Sequence, residues 1–207
     1  MTKIKICGLQ SLTDVSYINE WKPDYTGFIF APGRKRTITD KLASQMKSLL
    51  LPEITTVGVF VNEPVEHVIS LLQDGVIEVA QLHGQEDEAY FYRLREKCDQ
   101  SVIKAFTIQT KADIQKALTY PSDYLLLDNG IGGTGQAFDW SLFDTSPENG
   151  MNRPFFLAGG LHSGNVISAI KKAHPFAVDV SSGVETDGKK DKEKIRAFIQ
   201  TVRNNQS

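Results

Sequence analysis

Hydrophobic residues fall along this chain in short dense runs separated by longer amphipathic stretches. The runs are KIKIC (Lys3 to Cys7), YTGFIF (Tyr25 to Phe30), TTVGVFV (Thr55 to Val61), VAQLH (Val79 to His83), SVIKAF (Ser101 to Phe106), YLLLD (Tyr124 to Asp128), PFFLAGG (Pro154 to Gly160) and AVDVSS (Ala177 to Ser182). Most show little two-residue alternation, as expected of parallel strands buried on both faces. The stretches between them read as helices. SLTDVSYINEW opens on Ser11 as a candidate N-cap, and Ile38, Leu42, Met46 and Leu49 recur at helical spacing behind Thr39 or Asp40. Pro64 stands where a first-turn proline is favoured. Further helices are predicted in EDEAYFYRLREKC, TKADIQKALTY, SGNVISAIKKA and KKDKEKIRAFIQTVRNN. After YLLLD the pattern weakens into a glycine-rich loop and FDWSLFD, enough for only a short helix.

Strict strand–helix alternation predicts a parallel α/β fold. Eight repeats with no linker favour a closed (β/α)8, or TIM, barrel formed as a single domain over residues 1–207. That is compact for a fold that typically takes ~250 residues. The alternative is an open flavodoxin-like or Rossmann sheet, but no G-x-G-x-x-G follows the first strand.

Composition narrows the function more than the fold. The net charge of −2 gives no reason to expect nucleic acid or an anionic membrane as a partner. No apolar run approaches the ~18 residues of a transmembrane helix. Only Cys7 and Cys98 are present, so there is no disulfide framework and no metal-site spacing. A cytoplasmic location, no metal and no cofactor are the expectations, with a monomer ahead of a dimer.

In a barrel of this kind the chemistry sits at the C-terminal ends of the strands. Those ends carry Cys7, the APGRKR loop with Arg36, His83, Asp128, Gly159-Gly160, and Asp179 with Ser181-Ser182-Gly183. GIGGTG (ending at Gly135), AGGL and SSGVE are small-residue loops after strands six, seven and eight. Backbone N–H groups in such loops approach an anion closely, and barrels often bind phosphate after strands seven and eight. Ser182 to Glu185 is a candidate start for the short helix that accompanies such a site. Ordinary turn glycines are the plain alternative.

Cys7 and Asp128 end strands one and six and are candidates for a general base and a general acid across the barrel mouth. A base role asks for a lowered thiol pKa and an acid role for a raised carboxyl pKa; sequence shows neither. A buried thiol and a loop-ordering carboxylate are the bland alternatives. Arg36 suits bidentate pairing with a substrate carboxylate, against a solvated basic loop. His83 has no second histidine at ligand spacing and reads as structural or ligand-lining. Asp179 either enters the pocket or joins a buried network. Trp140 reads as a packing anchor and Cys98 as incidental.

Taken in order, KIKICGL, VGVFVN, QLHG, LLLD, GGTGQAFDW, AGGL, VDVSSGVE and GKKDKEKI resemble the phosphoribosylanthranilate isomerase family of tryptophan biosynthesis, from Lys3 to about Phe198. The resemblance implies a cofactor-free Amadori rearrangement of N-(5-phosphoribosyl)anthranilate to 1-(2-carboxyphenylamino)-1-deoxyribulose 5-phosphate. It further implies Asp128 as general acid, Cys7 as general base and Arg36 as the contact of the anthranilate carboxylate. Asp179 would help position substrate, and Gly135, Gly159, Gly160, Ser181, Ser182 and Gly183 would cradle the phosphate. One departure is Arg34, where the family often has serine; it makes the loop more basic and bears on which side chain meets the carboxylate.

Two other functions are compatible with the same pattern. A sister aldose–ketose isomerase of the histidine pathway would look for aspartates ending strands one and five, where this chain has Cys7 and Lys104-Ala105-Phe106. A non-catalytic phosphate-binding barrel would be expected to have lost Cys7 or Asp128. A role as an interaction subunit has no sequence feature of its own.

Overall fold

The computed structural model describes residues 1–128 and 153–205. Parallel strands β1 (Lys3–Cys7), β2 (Tyr25–Ile29), β3 (Thr55–Phe60), β4 (Val79–Leu82), β5 (Val102–Thr107), β6 (Tyr124–Asp128), β7 (Phe155–Leu157) and β8 (Ala177–Val180) pair in chain order. The register of β1 on β8, with Lys5 opposite Asp179, closes the barrel and disposes of the open-sheet alternative. Helices α1 (Leu12–Trp21), α2 (Asp40–Leu49), α3 (Val65–Gln73), α4 (Glu88–Arg95), α5 (Lys111–Thr119), α6 (Val166–Ala173) and α7 (Lys192–Asn204) stand between or after the strands. The short helix expected in FDWSLFD, together with Trp140 and the GIGGTG loop, lies outside the described residues.

Local chemistry sets the helix starts. Ser11 and Asp14 form a reciprocal capping box on α1, and Thr39, not Asp40, caps α2 by accepting from the Leu42 N–H. Pro64 is the N-cap of α3, one position earlier than a first-turn proline. After β8, the short helix expected from Ser182 is a 3₁₀ helix at Ser182–Val184. One element was not foreseen: that helix runs into an antiparallel hairpin, β9 (Glu185–Thr186) and β10 (Lys189–Lys190). Asp187 and Gly188 turn it with φ of 52° and 75°, the positive pair that a two-residue hairpin turn needs.

Strand parity divides the interior into two regions. Ile4 and Ile6 of β1, Leu125 and Leu127 of β6, and Val178 and Val180 of β8 face the helices in the larger core. The alternate positions face the barrel axis, where Val57, Val79, Ile103, Ala105, Leu126, Phe156, Ala158 and Ala177 pack together. Lys5, Cys7, Gln81, His83, Asp128, Asp179 and Ser181 share that inward parity. The barrel axis is therefore apolar at the level of Val79 and Ala177 and increasingly polar toward the C-terminal rim.

Lys5 has a fully buried side chain, and its Nζ donates to Asp179 Oδ2 at 2.9 Å. Burial alone would lower the pKa of this ammonium, but Asp179 and Cys7 beside it outweigh burial and leave it raised. Removing one member of such a pair strands the other charge away from water, at a cost of about 3–5 kcal/mol. Lys5→Met is therefore expected to lower the unfolding free energy measured by urea titration by that much. The double variant Lys5→Met/Asp179→Leu should recover most of the loss, and equal losses in the two would show that the pair is not what stabilises the axis.

Candidate active site

β1 ends on Cys7, and Gly8 turns the chain with φ 81° while the N–H groups of Gly8 and Leu9 both donate to the Gly27 carbonyl. The thiol is buried. It lies over the bare backbone of Gly27, where a Cβ would come within 2.7 Å of Sγ. Burial pushes the thiol pKa up, opposed by Lys5 and Lys190 and assisted by Asp179. The direction is opposite to the one that a resting thiolate base asks for: the barrel interior desolvates the thiolate more than the two lysines compensate. Cys7 rests as a thiol.

Asp128 ends β6 opposite Thr107 of β5, half-buried at the same rim. His83 follows β4. Its Nδ1 is paired with the Gln81 side-chain amide at 3.2 Å. Solvent reaches His83, but the concave mouth around it disfavours its charged form. Burial lowers its pKa, with Asp128 and Asp179 pulling the other way and Lys5 and Lys104 adding to the lowering. His83 therefore feels both Asp128 and Asp179 across one mouth. Of the two alternatives left open by the sequence, Asp179 joins the buried network: Oδ2 is in the pair with Lys5, while Oδ1 is buried without a hydrogen-bond partner.

The rim beside His83 is fixed by a residue that the sequence did not single out. Glu86 accepts from the Asn62 and Gly84 N–H groups at 2.7 and 2.9 Å, and from Lys104 Nζ at 2.7 Å. Burial opposes ionisation of Glu86, but Lys104 and the backbone N–H groups of Asn62 and of Glu86 itself hold its carboxyl below the usual range. A cavity of about 440 Å³ opens here, lined by His83, Glu86, Lys104, Phe106 and Tyr120 among others. That is room for a small molecule.

Arg36 reaches the mouth by lying across Gly8, where a Cβ would come within 2.6 Å of Arg36 Cδ. Its partner is Glu185, to which Nε and Nη2 donate at 2.6 Å each. Arg34 is exposed on the same loop. Opposite, Gly159 and Gly160 hold positive φ of 93° and 64° after β7. Asn165 orders that loop by donating to the Gly160 carbonyl and accepting from the His162 N–H. Gly183 packs so closely on it that a Cβ would sit 1.9 Å from the Leu161 carbonyl oxygen. The loops after β7 and β8 thus meet backbone to backbone, with Ser182 exposed between them. Ser181 is otherwise engaged: its hydroxyl donates to the Cys7 carbonyl at 3.0 Å and ties β8 to β1. Gly135 lies outside the described residues. Among the described residues no group of three or more His, Cys, Asp or Glu side chains is placed to hold a metal ion, and no helix is long and apolar enough to cross a membrane.

Comparison with known proteins covers almost the whole chain. Residues 4–201 match the model of the family N-(5'phosphoribosyl)anthranilate (PRA) isomerase. The N-(5'-phosphoribosyl)anthranilate isomerase of Endomicrobium trichonymphae is 45% identical over 207 residues, which is 98% of this chain and 99% of that one. The crystal structure of phosphoribosyl anthranilate isomerase from Thermotoga maritima matches with a TM-score of 0.89 at 38% identity, covering 99% of this chain and 100% of that one. A phosphoribosyl anthranilate isomerase in complex with reduced 1-(o-carboxyphenylamino)-1-deoxyribulose 5-phosphate matches with a TM-score of 0.87, also at 38% identity and with the same coverage. With the closed barrel, its polar rim and this full-length match together, the chain belongs to the N-(5'-phosphoribosyl)anthranilate isomerase family.

Proposed function

We propose that this protein performs its family's isomerisation, the Amadori rearrangement of N-(5-phosphoribosyl)anthranilate in tryptophan biosynthesis, with Cys7 and Asp128 as its proton-transfer groups. The observation that carries this reading is the family match over residues 4–201, which spans both side chains. Their inward parity at the ends of β1 and β6 supports it.

Asp128 donates a proton to the ribose ring oxygen as the C1′–O bond breaks, and the anilino nitrogen lone pair forms the iminium. Cys7 removes the C2′ proton, and the electron pair of that C–H bond flows into the iminium to give the enolamine. Protonation at C1′ and loss of the C2′ hydroxyl proton complete the ketone, so the reaction is an isomerisation with no net loss of atoms. The iminium is a cation brought next to a thiol that rests protonated. It lowers the cost of the thiolate at the step that needs it. Arg36 holds the anthranilate carboxylate, and Asp179 and His83 border the sugar. Backbone N–H groups about Gly159, Gly160, Ser182 and Gly183 receive the phosphate, with Ser181 bracing them from β1.

Residues 1–207 form one domain in this proposal, supported by the pairing of β1 with β8 and by Arg203 donating to the carbonyls of Trp21 and Lys22. A monomer is favoured because, among the described residues, the exposed large hydrophobics are scattered over the N-terminus and three different helices: Met1, Leu12, Leu49 and Tyr92. The two free, buried thiols suit a reducing, cytoplasmic setting.

The direct test is the decay of phosphoribosylanthranilate fluorescence. Wild type should consume it, while Asp128→Asn and Cys7→Ala should each keep the fold and lose about 10²-fold or more in turnover, as displaced acid–base groups do. Near-wild-type turnover in either variant would remove that residue from the mechanism. No decay with wild type would move the sister isomerase or a non-catalytic barrel to the front. The pH profile gives a separate check. The productive form needs a protonated acid and a deprotonated base together, so kcat/KM is expected to trace a bell against pH. The residual rate of Asp128→Asn and of Cys7→Ala should each lose one limb of that bell, and an unchanged two-limbed profile in either variant would remove that residue from the mechanism.

A further inference from the structure

Arg36, Glu185 and Lys190 form a continuous chain of charges beneath the rim. Glu185 accepts both Arg36 bonds, and Lys190 Nζ donates to its Oε1 at 2.7 Å. The side chain of Lys190 has no solvent exposure and that of Glu185 only 5%, whereas Arg36 keeps 25%. Lys190 also donates to the Ser181 carbonyl at 3.0 Å. Lys194 touches Glu185 only at its backbone carbonyl, from an exposed position where solvent screens its charge.

Two consequences follow from geometry and charge. The Nε and Nη2 edge of Arg36 is occupied by Glu185, so the end-on edge made by Nη1 and the second Nη2 hydrogen is the one left for a ligand. An isolated Arg36–Glu185 pair would sum to zero charge and offer a carboxylate little net attraction. The second cation on Glu185 brings the cluster back to a net charge of one.

We propose that Lys190 is a positioning residue for substrate: by sharing Glu185, it lets that carboxylate hold Arg36 rigid without cancelling the positive charge that Arg36 offers to a carboxylate-bearing substrate. This rests on the reading of Arg36 given under Proposed function. The hairpin of β9 and β10 thereby acquires a task, since it brings Glu185 and Lys190 to the site as registered partners. The lowered pKa of Glu185, held ionised by Arg36 and Lys190 against burial, accords with a carboxylate between two cations.

The test separates charge from packing. Lys190→Gln keeps a hydrogen-bond donor for Glu185 and Ser181 but brings the cluster to net zero, and Lys190→Gln/Glu185→Gln returns it to net one. Kd for reduced 1-(o-carboxyphenylamino)-1-deoxyribulose 5-phosphate would be measured by titration, and KM and kcat with phosphoribosylanthranilate. Lys190→Gln is expected to weaken binding and raise KM by about tenfold, the order of one charge-assisted hydrogen bond, with a smaller change in kcat. The double variant should recover most of the affinity, and Lys190→Arg should stay near wild type. Should Lys190→Gln prove unfolded by circular dichroism, the double variant, which has no stranded buried charge, decides alone: near-wild-type Kd supports the proposal and a tenfold loss overturns it. A folded Lys190→Gln that binds as wild type does, or a double variant no better than the single, also overturns it. Wild type that neither turns over substrate nor binds the analogue would instead overturn the reading of Arg36.

Discussion

A positive charge on the axis of the barrel constrains everything around it. Lys5 has no water to solvate it, so a counter-charge must stand beside it, and the β1–β8 register supplies Asp179 directly opposite. That contact is made across the seam where the last strand meets the first. The same lysine opposes the desolvation of Cys7 two residues further along the strand. Closure of the fold and the electrostatics of the thiol are therefore set by one side chain. A shift of β8 by one residue would turn Asp179 toward the helices and leave both functions unmet.

From that seam outward, the site is an arrangement of parity. On each of the strands β1, β6 and β8 an apolar inward residue or the ion pair is followed two positions later by a candidate site residue, so the polar rim begins where the packed axis ends. The loops are then fixed by charges whose partners lie elsewhere in the chain. Glu86 joins the ends of β3, β4 and β5, and Glu185 joins the loop after β2 to the hairpin after β8. Rigid loops on a rigid barrel suit a reaction in which two proton transfers must be aimed at adjacent carbons.

Much of this was legible in the residues. Runs such as TTVGVFV and YLLLD are β-rich, short and bounded, and they fix the strands to within a residue or two. Cys7, His83, Asp128 and Asp179 stand out in the sequence as polar residues ending apolar strands, and the fold gives all four the same inward parity. Lys5 does not stand out, because the alternation in KIKIC resembles a strand with one solvent face; only closure of the barrel makes that face interior. The hairpin carried a signal in Asp187-Gly188, but two-residue strands are too short to announce themselves. The partner of Arg36 lies 149 residues away, a distance no local pattern spans. The direction of the Cys7 pKa was equally out of reach, because it depends on how burial weighs against two lysines in three dimensions.

The thiol of Cys7 rests on the peptide of Gly27, and that contact ties the fates of two positions on neighbouring strands. Even a methyl group at position 27 would occupy the volume of the sulfur and drive the thiol toward the mouth or force the strands apart. Natural drift at position 27 is thereby closed unless position 7 shrinks with it, and a smaller residue there carries no thiol. Anyone remodelling this barrel for another sugar phosphate inherits a two-residue unit, to be changed together or left alone.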